Sequence, residues 1–196
     1  MHHPFFEALA ARLSARTPRA VDLNLPTLRL RESAVLVPLH ARGGRPHILF
    51  TQRPAHLRTH AGQFSFPGGT RDPGDASPEA TALREAHEEL GIAPEGVQVL
   101  GRLDEVPTLT EFRIQPVVGV IAPDLRYVPS AHEVAFILEL PLAHFLDPAV
   151  RRTEKRSAHG LTFEVDFYSY NEHVIWGATA RILRNLLAAA QGLPGL

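Results

Sequence analysis

Apolar side chains recur every three or four residues in three parts of the chain, which is the spacing of one face of an α-helix. The three parts are residues 1–19, the stretch between Ser77 and Gly91, and residues 175–190. We therefore predict three amphipathic helices. In the last of them we expect the core-facing residues to be Thr179, Ile182, Leu183, Leu186 and Ala190, with Arg181 and Arg184 outside.

Shorter apolar runs, separated by Gly and Pro, predict β-strands. The runs cover residues 33–40, 47–53, 97–106, 112–121 and 134–140, and residues 151–154 are expected to pair with residues 161–170. Gly43-Gly44 is typical of a hairpin turn, whereas Pro67-Gly68-Gly69 should break any strand. Residues 142–149 are predicted to form a short helix. Strands mixed with three or four helices predict an α/β layered domain, in which the strand order stays open.

The length of the chain, 196 residues, corresponds to one domain or to one domain with terminal additions. We predict that residues 1–26 form an N-terminal helix and a proline-containing linker, and that residues 27–196 form the main domain. The first helix is expected to dock on that domain. Its three arginines and single acidic residue also fit an organelle-targeting peptide, but such peptides are rich in serine and this segment is not.

The charge of the chain is balanced, with 20 basic and 21 acidic residues, and gives no indication of a nucleic-acid or membrane partner. No apolar run approaches about 18 residues, so no transmembrane helix is predicted. The absence of cysteine excludes disulfides, thiolate metal sites and a cysteine nucleophile. It fits a reducing compartment, and we expect a cytoplasmic protein with a small-molecule substrate.

The ends of the second helix are the best defined of the three. Ser77 is a good N-cap, Pro78 fits the first helical position, and Gly91 fits the C-cap. An apolar stripe is expected along this helix at Leu83, Ala86 and Leu90.

Three carboxylates, Glu85, Glu88 and Glu89, fall almost opposite that stripe and crowd one turn of the helix. Like charges at this spacing cost about 0.2–0.5 kcal/mol per pair unless something neutralises them. A hard divalent cation such as Mg²⁺ prefers carboxylate oxygens and would do so. The alternative is a solvated acidic face. His87, on the flank of the stripe, is expected to be packed rather than catalytic.

The residues from Gly69 to Ile92 form a recognisable pattern. Its second half reads Arg-Glu-Ala-His-Glu-Glu-Leu-Gly-Ile from Arg84, and it resembles the Nudix box of the Nudix hydrolases. In the first half, Gly69 is followed after five residues by Asp75 where the box has Glu, and eight residues rather than seven separate Asp75 from Arg84. This departure leaves the role of Asp75 open, and it resembles the variant box of one subfamily, the coenzyme A pyrophosphatases.

The residues before the box resemble the upstream signature of the same subfamily. Its named positions correspond here to Leu49, Phe50, Thr51, Arg53, Pro54, Arg58, Gly62, Phe66, Pro67, Gly68 and Gly69. Phe50 replaces a Leu of the signature and Pro54 replaces a Ser or Ala, while the other positions fit with the same gaps. The box indicates Nudix chemistry, and the upstream signature indicates coenzyme A.

The resemblance implies the Nudix fold, a mixed β-sheet sandwiched between α-helices. It also implies that Mg²⁺ or Mn²⁺ binds at Glu85, Glu88 and Glu89, with Arg84 beside them to hold the glutamates in place. An ordinary ion pair on the helix surface is the alternative for Arg84.

The same resemblance implies how a substrate binds. Gly68 and Gly69 have no Cβ, so the backbone there can approach the substrate or the metal closely. Arg53 and Arg58 would bind phosphates through paired hydrogen bonds. The alternatives are a simple turn for the glycines and solvated side chains for the arginines.

The leading hypothesis for function is a metal-dependent pyrophosphohydrolase that cleaves the diphosphate of coenzyme A or its derivatives. One alternative is hydrolysis of another nucleoside diphosphate derivative, such as ADP-ribose or a dinucleoside polyphosphate. Another is a Nudix-like ligand-binding module without catalysis, which the intact glutamates argue against. The general base stays open. One alternative is that the metal itself lowers the pKa of a bound water, and another is a loop carboxylate, for which Glu133 and Glu111 are the candidates; both also fit plain surface acids.

Overall fold

The computed structural model describes residues 3–20, 30–56, 60–108, 110–158 and 161–196. Its three α-helices are α1 (Pro4–Ser14), α2 (Pro78–Leu90) and α3 (Gly177–Ala190). The third helix was predicted to begin at residue 175, two residues too early, because Ile175 lies in a strand that immediately precedes the helix. The five side chains predicted to face the core from α3 are all buried. Among the described residues, no helix is long and apolar enough to cross a membrane.

Eleven strands are present in the described part of the chain. They are β1 (Arg31–Arg42), β2 (Arg45–Gln52), β3 (Phe64–Ser65), β4 (Gly68–Thr70), β5 (Gln98–Arg102), β6 (Val106–Pro107), β7 (Phe112–Val120), β8 (Phe136–Pro141), β9 (Arg151–Ala158), β10 (Leu161–Tyr170) and β11 (His173–Trp176). The predicted hairpin is confirmed, since Arg42 pairs with Arg45 across the two glycines. The predicted pairing of β9 with β10 is also confirmed.

The strands form two sheets. The larger has the order β3-β2-β1-β7-β5, with β4 paired to β1, β6 to β7 and β8 to β2. Strands β1 and β7 are parallel, whereas the other pairs in this sheet are antiparallel, so the sheet is mixed. The smaller sheet is antiparallel, in the order β11-β10-β9.

The larger sheet lies between helices, as the resemblance implied. Alternate side chains of a strand point to opposite faces. Leu36 and Leu49 pack with α2 in one hydrophobic cluster, whereas Val37 and Phe50 pack with α1 and α3 in the other. The α/β class and the sandwich arrangement are therefore confirmed.

Helix α1 docks on the domain. It buries Phe5, Phe6, Leu9 and Leu13 in the same cluster as the buried face of α3. The Arg12 guanidinium donates to the carbonyls of Ala189 and Gln191 at 3.0 and 2.7 Å. These are carbonyls at the end of α3, which the helix itself leaves without partners. The two ends of the described chain are thus tied together.

The segment at Gly68–Thr70 corrects one prediction. Pro67 does follow the end of β3, but the two glycines continue into β4, which pairs with β1 through Val35 and Gly68. A Cβ at Gly68 would overlap the Ala34 carbonyl and the Val35 side chain. The strand exists because glycine permits an approach that no other residue would.

Two further predictions were wrong in detail. Residues 142–149 form two single turns of 3₁₀-helix, Leu142–Leu146 and Pro148–Val150, rather than one helix. Pro148 has no N–H to continue a helical ladder. The run 97–106 is divided into β5 and β6.

Candidate active site

Helix α2 forms for the reasons that its sequence suggests. The Ala80 N–H donates to Ser77 Oγ at 3.2 Å, and Gly91 adopts the left-handed conformation, with φ of 69°, that ends the helix. The buried face, however, is rotated from the predicted stripe. It includes Ala82 and Glu89, whereas Leu83 is only half-buried. The prediction that all three glutamates face away from the core was therefore wrong for Glu89.

The orientation of α2 also corrects the prediction for His87. That side chain was expected to be packed beside the stripe, but it is exposed. The rotation that buries Glu89 against the sheet turns the opposite side of the helix, with His87 on it, to solvent.

Glu89 is a buried carboxylate, with 7% of its surface exposed. Its hydrogen-bond donor is the Gly68 N–H, at 3.3 Å from Oε1. Burial raises the pKa of Glu89 to about 8, and the charges of Glu133 and Glu85 act in the same direction. A carboxylate placed in this way gains from a cation, because an isolated buried charge is costly.

Glu85 lies one turn before Glu89 and is half-buried. Burial raises its pKa, and the charges of Glu88 and Glu133 add to that effect. The backbone of Gly69 runs directly against the Glu85 carboxylate, so a Cβ at position 69 would overlap it. Glu88 is the most exposed of the three glutamates, with 53% of its side chain accessible.

Arg84 connects the helix to the loop that follows β4. Its Nη1 lies 3.0 Å from both Glu85 Oε1 and Glu88 Oε2, and its Nη2 donates to the Thr70 carbonyl at 3.0 Å. Its Nε and Nη2 also donate to the carboxylate of Asp75 at 3.1–3.4 Å. The guanidinium therefore fixes the position of two glutamates relative to β4, the strand that contains Gly68 and Gly69.

Asp75 holds Arg84 in place, although the sequence pattern left its role open. It is 8% exposed and also accepts a hydrogen bond from the Asp72 N–H at 2.9 Å. The hydrogen bonds from Arg84 lower the pKa of Asp75 to about 2. The shorter side chain and the one-residue change in spacing thus still deliver a carboxylate to the guanidinium.

The loop between β7 and β8 brings a fourth carboxylate to α2. The Ser130 N–H donates to the Glu89 carbonyl and the Val128 N–H to the Leu90 carbonyl, both at 2.8 Å. The loop therefore lies across the last turn of the helix, and the charge of Glu133 acts on Glu85 and Glu89.

Glu111, the other loop carboxylate considered, lies elsewhere. It occupies the turn before β7, where its carbonyl accepts from the Arg31 N–H at 2.8 Å. That contact is at the start of β1, whereas Gly68 pairs with Val35 further along the strand. Of the two candidates, the structure places Glu133 beside the glutamates of α2.

Arg53 is the arginine of the upstream signature that the described part of the chain contains. Arg53 directly follows β2, and its positive charge lowers the pKa of Glu89 against the effect of burial. Its Nε is buried and has no hydrogen-bond partner in the described part of the chain. A guanidinium with a buried free donor beside a carboxylate is suited to bind an anionic group. Arg58 lies outside the described residues.

The donor set at α2 fits a divalent cation, even though its members are not gathered around one point. Among the described residues, no group of three His, Asp or Glu side chains encloses a position for an ion. Arg84 instead contacts Glu85 and Glu88. The fit rests on Glu89, a buried carboxylate whose one donor among the described residues is the neutral Gly68 N–H. It also rests on two further carboxylates whose charges raise the pKa of Glu89. Carboxylate oxygens are the ligands that Mg²⁺ and Mn²⁺ take.

Comparisons with known proteins agree with this architecture. The NUDIX domain profile matches residues 30–176. A Citrobacter koseri protein named uncharacterized Nudix hydrolase NudL is 45% identical over 165 residues, which cover 84% of this chain and 85% of that protein. A Nudix hydrolase structure from M. smegmatis, RenU, is 26% identical with a TM-score of 0.50, over 59% of this chain and 73% of that one. The DR0079 structure from Deinococcus radiodurans, with a TM-score of 0.53 and 14% identity over 84% of this chain and 88% of that one, bears on the fold alone.

We expect Asp75→Asn to lower the free energy of unfolding at neutral pH by about 1–2 kcal/mol. This is the contribution of a charged hydrogen bond, made smaller by the partial exposure of Arg84 to solvent. Because the pKa of Asp75 is lowered in the fold, its contribution is present above its ordinary value of 3.8 and is lost as the pH falls toward about 2. Denaturant unfolding of both proteins at pH 7 and pH 3 would show the difference shrinking in acid.

The matched control for that experiment is Asp72→Asn. Asp72 is 63% exposed and lies 3.8 Å from the same guanidinium, so its replacement should change the stability little. An equal loss in the two variants, or a difference that does not depend on pH, would contradict the role of Asp75.

Proposed function

The chain belongs to the NUDIX domain family as a Nudix hydrolase, an enzyme that acts on pyrophosphate bonds, and from this we propose that its substrate is coenzyme A or a derivative. The products would be 3′,5′-ADP and a phosphopantetheine that keeps any acyl group. The observation that carries this substrate is the signature between Leu49 and Gly69, upstream of the box. It contains Arg53, whose positive charge lowers the pKa of Glu89.

Nudix hydrolases generally use divalent metal ions, and for this chain we assign the metal site to Glu85, Glu88 and Glu89. Mg²⁺ or Mn²⁺ bound there would neutralise the phosphate oxygens and lower the pKa of a bound water. Glu89 supports this assignment most strongly, because its burial makes a cation the favoured partner for its charge.

The residues around these glutamates hold the reacting groups. Arg84 keeps Glu85 and Glu88 at fixed positions relative to β4. Gly68 and Gly69 let the main chain come close to the carboxylates and to the diphosphate. Of the loop carboxylates, we assign Glu133 as the group that accepts a proton from the attacking water, since its charge already acts on the site.

Arg53 and Arg58 are assigned to the phosphates of the substrate. The buried Nε of Arg53 has no hydrogen-bond partner among the described residues, which supports the assignment. For Arg58 the support is its position in the signature alone. A guanidinium binds phosphate in a fixed geometry and so positions the diphosphate for in-line attack.

The substrate proposal is tested by one assay of product formation. Coenzyme A, dephospho-coenzyme A and ADP-ribose are offered separately with Mg²⁺ or Mn²⁺, and the products are separated and identified. The expected result is a kcat/KM that is highest for coenzyme A, with cleavage within the diphosphate. Faster hydrolysis of ADP-ribose would replace coenzyme A by another nucleoside diphosphate derivative. No hydrolysis of any of them, together with tight binding, would indicate a binding module.

We expect Glu89→Gln and Glu85→Gln each to lower turnover by orders of magnitude without lowering the stability of the metal-free protein. The buried Glu89 charge costs free energy in the fold, so its removal should leave the melting temperature unchanged or higher. Millimolar Mg²⁺ or Mn²⁺ should raise the melting temperature of the wild type, and this increase should be lost in the two variants. The control is Glu95→Gln, an exposed glutamate just beyond α2. Near-normal turnover of both variants at limiting Mg²⁺ would exclude the metal assignment.

We expect Gly69→Ala to lower kcat by about a hundred-fold, since misplacing a catalytic group by about 1 Å has effects of that size. The added methyl would displace the Glu85 carboxylate. Gly74→Ala is the matched control, because a Cβ at Gly74 meets no atom within 4 Å and Gly74 lies in the loop that follows β4. Equal activity of the two alanine variants would show that the close approach at Gly69 does not matter for catalysis.

We expect Arg53→Ala and Arg58→Ala to reduce kcat/KM for coenzyme A by roughly ten- to a hundred-fold, the effect of losing one charged hydrogen bond. If either arginine binds the 3′-phosphate, the loss should be smaller for dephospho-coenzyme A, which lacks that group. Arg45→Ala, an exposed arginine at the start of β2, is the control. Equal losses on both substrates would assign these arginines to the shared diphosphate or to the fold.

A further inference from the structure

Three rings stand in a row at the end of β2, and we name Phe64, His173 and Phe136 the aromatic ledge. The rings of Phe64 and His173 have centroids 5.1 Å apart at 70°. The rings of His173 and Phe136 are 5.8 Å apart at 35°. Phe64 is buried, whereas Phe136 is 45% exposed. The inner ring therefore anchors the row in the core, and the outer ring presents a face to solvent.

The pairing of the strands fixes where the ledge lies. Gln52, the last residue of β2, pairs with Phe64 of β3 on one side and with Phe136 of β8 on the other. Paired residues point to the same face of a sheet. Phe64 belongs to the cluster that packs with α1 and α3, so Phe136 begins on that face of the sheet.

The residue after Gln52 is Arg53, which directly follows β2, and alternation along the extended chain would turn its side chain to the other face. Its charge acts on Glu89, so the guanidinium is on the side of α2. One peptide bond thus separates the residue beneath the ledge from the cation assigned to the phosphates. The end of β2 has a phosphate-binding cation on one face and exposed aromatic surface on the other.

Strand β8 makes the same connection from its own side. Glu133 and Phe136 are three residues apart, which limits the distance between their Cα atoms to about 10 Å. The Ala135 N–H donates to the Gln52 carbonyl at 2.8 Å, so this segment is fixed to the end of β2. Glu133 faces the glutamates of α2, and Phe136 lies on the ledge, within reach of one nucleotide.

We propose that the exposed ring of Phe136, backed by His173, is the platform on which the adenine base of the substrate stacks. This inference rests on the proposed function, since it assigns a place to the base of the nucleotide half. A base and its 5′-diphosphate are separated by one ribose, and Arg53 directly follows Gln52, the residue that pairs with both Phe64 and Phe136. Aromatic surface binds a purine through its π-face, without the need for hydrogen bonds to its edges.

The ledge acts on binding rather than on the reacting atoms. Phe136 and His173 are specificity residues in this view, because they contact the half of the substrate that is not cleaved. A stacked base would cover the exposed ring, and it would keep the diphosphate from sliding along the end of the sheet.

The test compares the two product halves as ligands, so that no turnover interferes. Adenosine 3′,5′-bisphosphate and 4′-phosphopantetheine are titrated calorimetrically into the full chain and into Phe136→Ala, Phe136→Trp and Leu146→Ala. Leu146 is the matched control, since it is 46% exposed and lies in the turn after β8. For Phe136→Ala we expect the affinity for the nucleotide to fall about 5- to 150-fold, the range that alanine substitution of a stacking residue gives. The affinity for phosphopantetheine should stay within two-fold of the wild type.

Phe136→Trp should restore nucleotide binding, because it supplies an aromatic face, and Leu146→Ala should match the wild type. Equal losses for both ligands in Phe136→Ala, no loss for the nucleotide, or no measurable nucleotide binding by the wild type would overturn the inference.

The product assay with the wild type decides the proposed function separately. If that assay shows no hydrolysis of coenzyme A while Phe136→Ala still loses the nucleotide selectively, the stacking site stands and the coenzyme A proposal fails. If coenzyme A is hydrolysed and nucleotide binding does not depend on Phe136, the reverse holds.

Discussion

The absence of two Cβ atoms, at Gly68 and Gly69, is the constraint on which the rest of the site depends. The first allows the backbone to lie against β1, and the second allows it to lie against the Glu85 carboxylate. Because β4 is held in the sheet by its pairing with β1, the Gly68 N–H is directed at Glu89 and the Thr70 carbonyl at Arg84. A loop that carried side chains here would stand away from α2, and these main-chain contacts would be lost.

Around that loop, the charges are arranged at a cost to the folded state. Glu85, Glu89 and Glu133 act on one another with like charge, and burial adds to the cost for Glu89. Arg84 offsets part of the cost at Glu85, and Arg53 offsets part of it at Glu89. The site thus keeps negative charge that the protein's own cations neutralise only in part. This lowers the stability of the fold and is typical of a site where stability is given up for activity.

The sequence was most informative where a single residue type determines the local structure. Ser77 and Gly91 end α2 as predicted, and the two glycines after Arg42 form the predicted hairpin, because capping and tight turns depend on backbone chemistry alone. The burial of Glu89 could not be predicted in the same way. Helical spacing gives the relative angles of side chains but not the angle at which the helix meets the sheet, and that angle also exposed His87. Similarly, Asp75 departs from the motif in type and spacing, and its contact with Arg84 appears only when the loop is folded. The metal and substrate assignments stay predictions, since they concern groups that the chain alone does not contain. The assignment of Glu133 as the base stays a prediction as well, since it depends on where the attacking water lies.

The contact between the two ends of the chain has a consequence for cooperativity. Helices α1 and α3 lie outside residues 30–176, which the NUDIX domain profile matches, yet both complete the core on one face of the larger sheet. The four large side chains of α1 contribute roughly 6–12 kcal/mol when fully buried, which is comparable to the whole stability of a typical domain. Because Arg12 ties α1 to the end of α3, neither terminus can fray without uncovering the other. The smallest unit that unfolds in a single step is therefore larger than the segment that the domain profile matches.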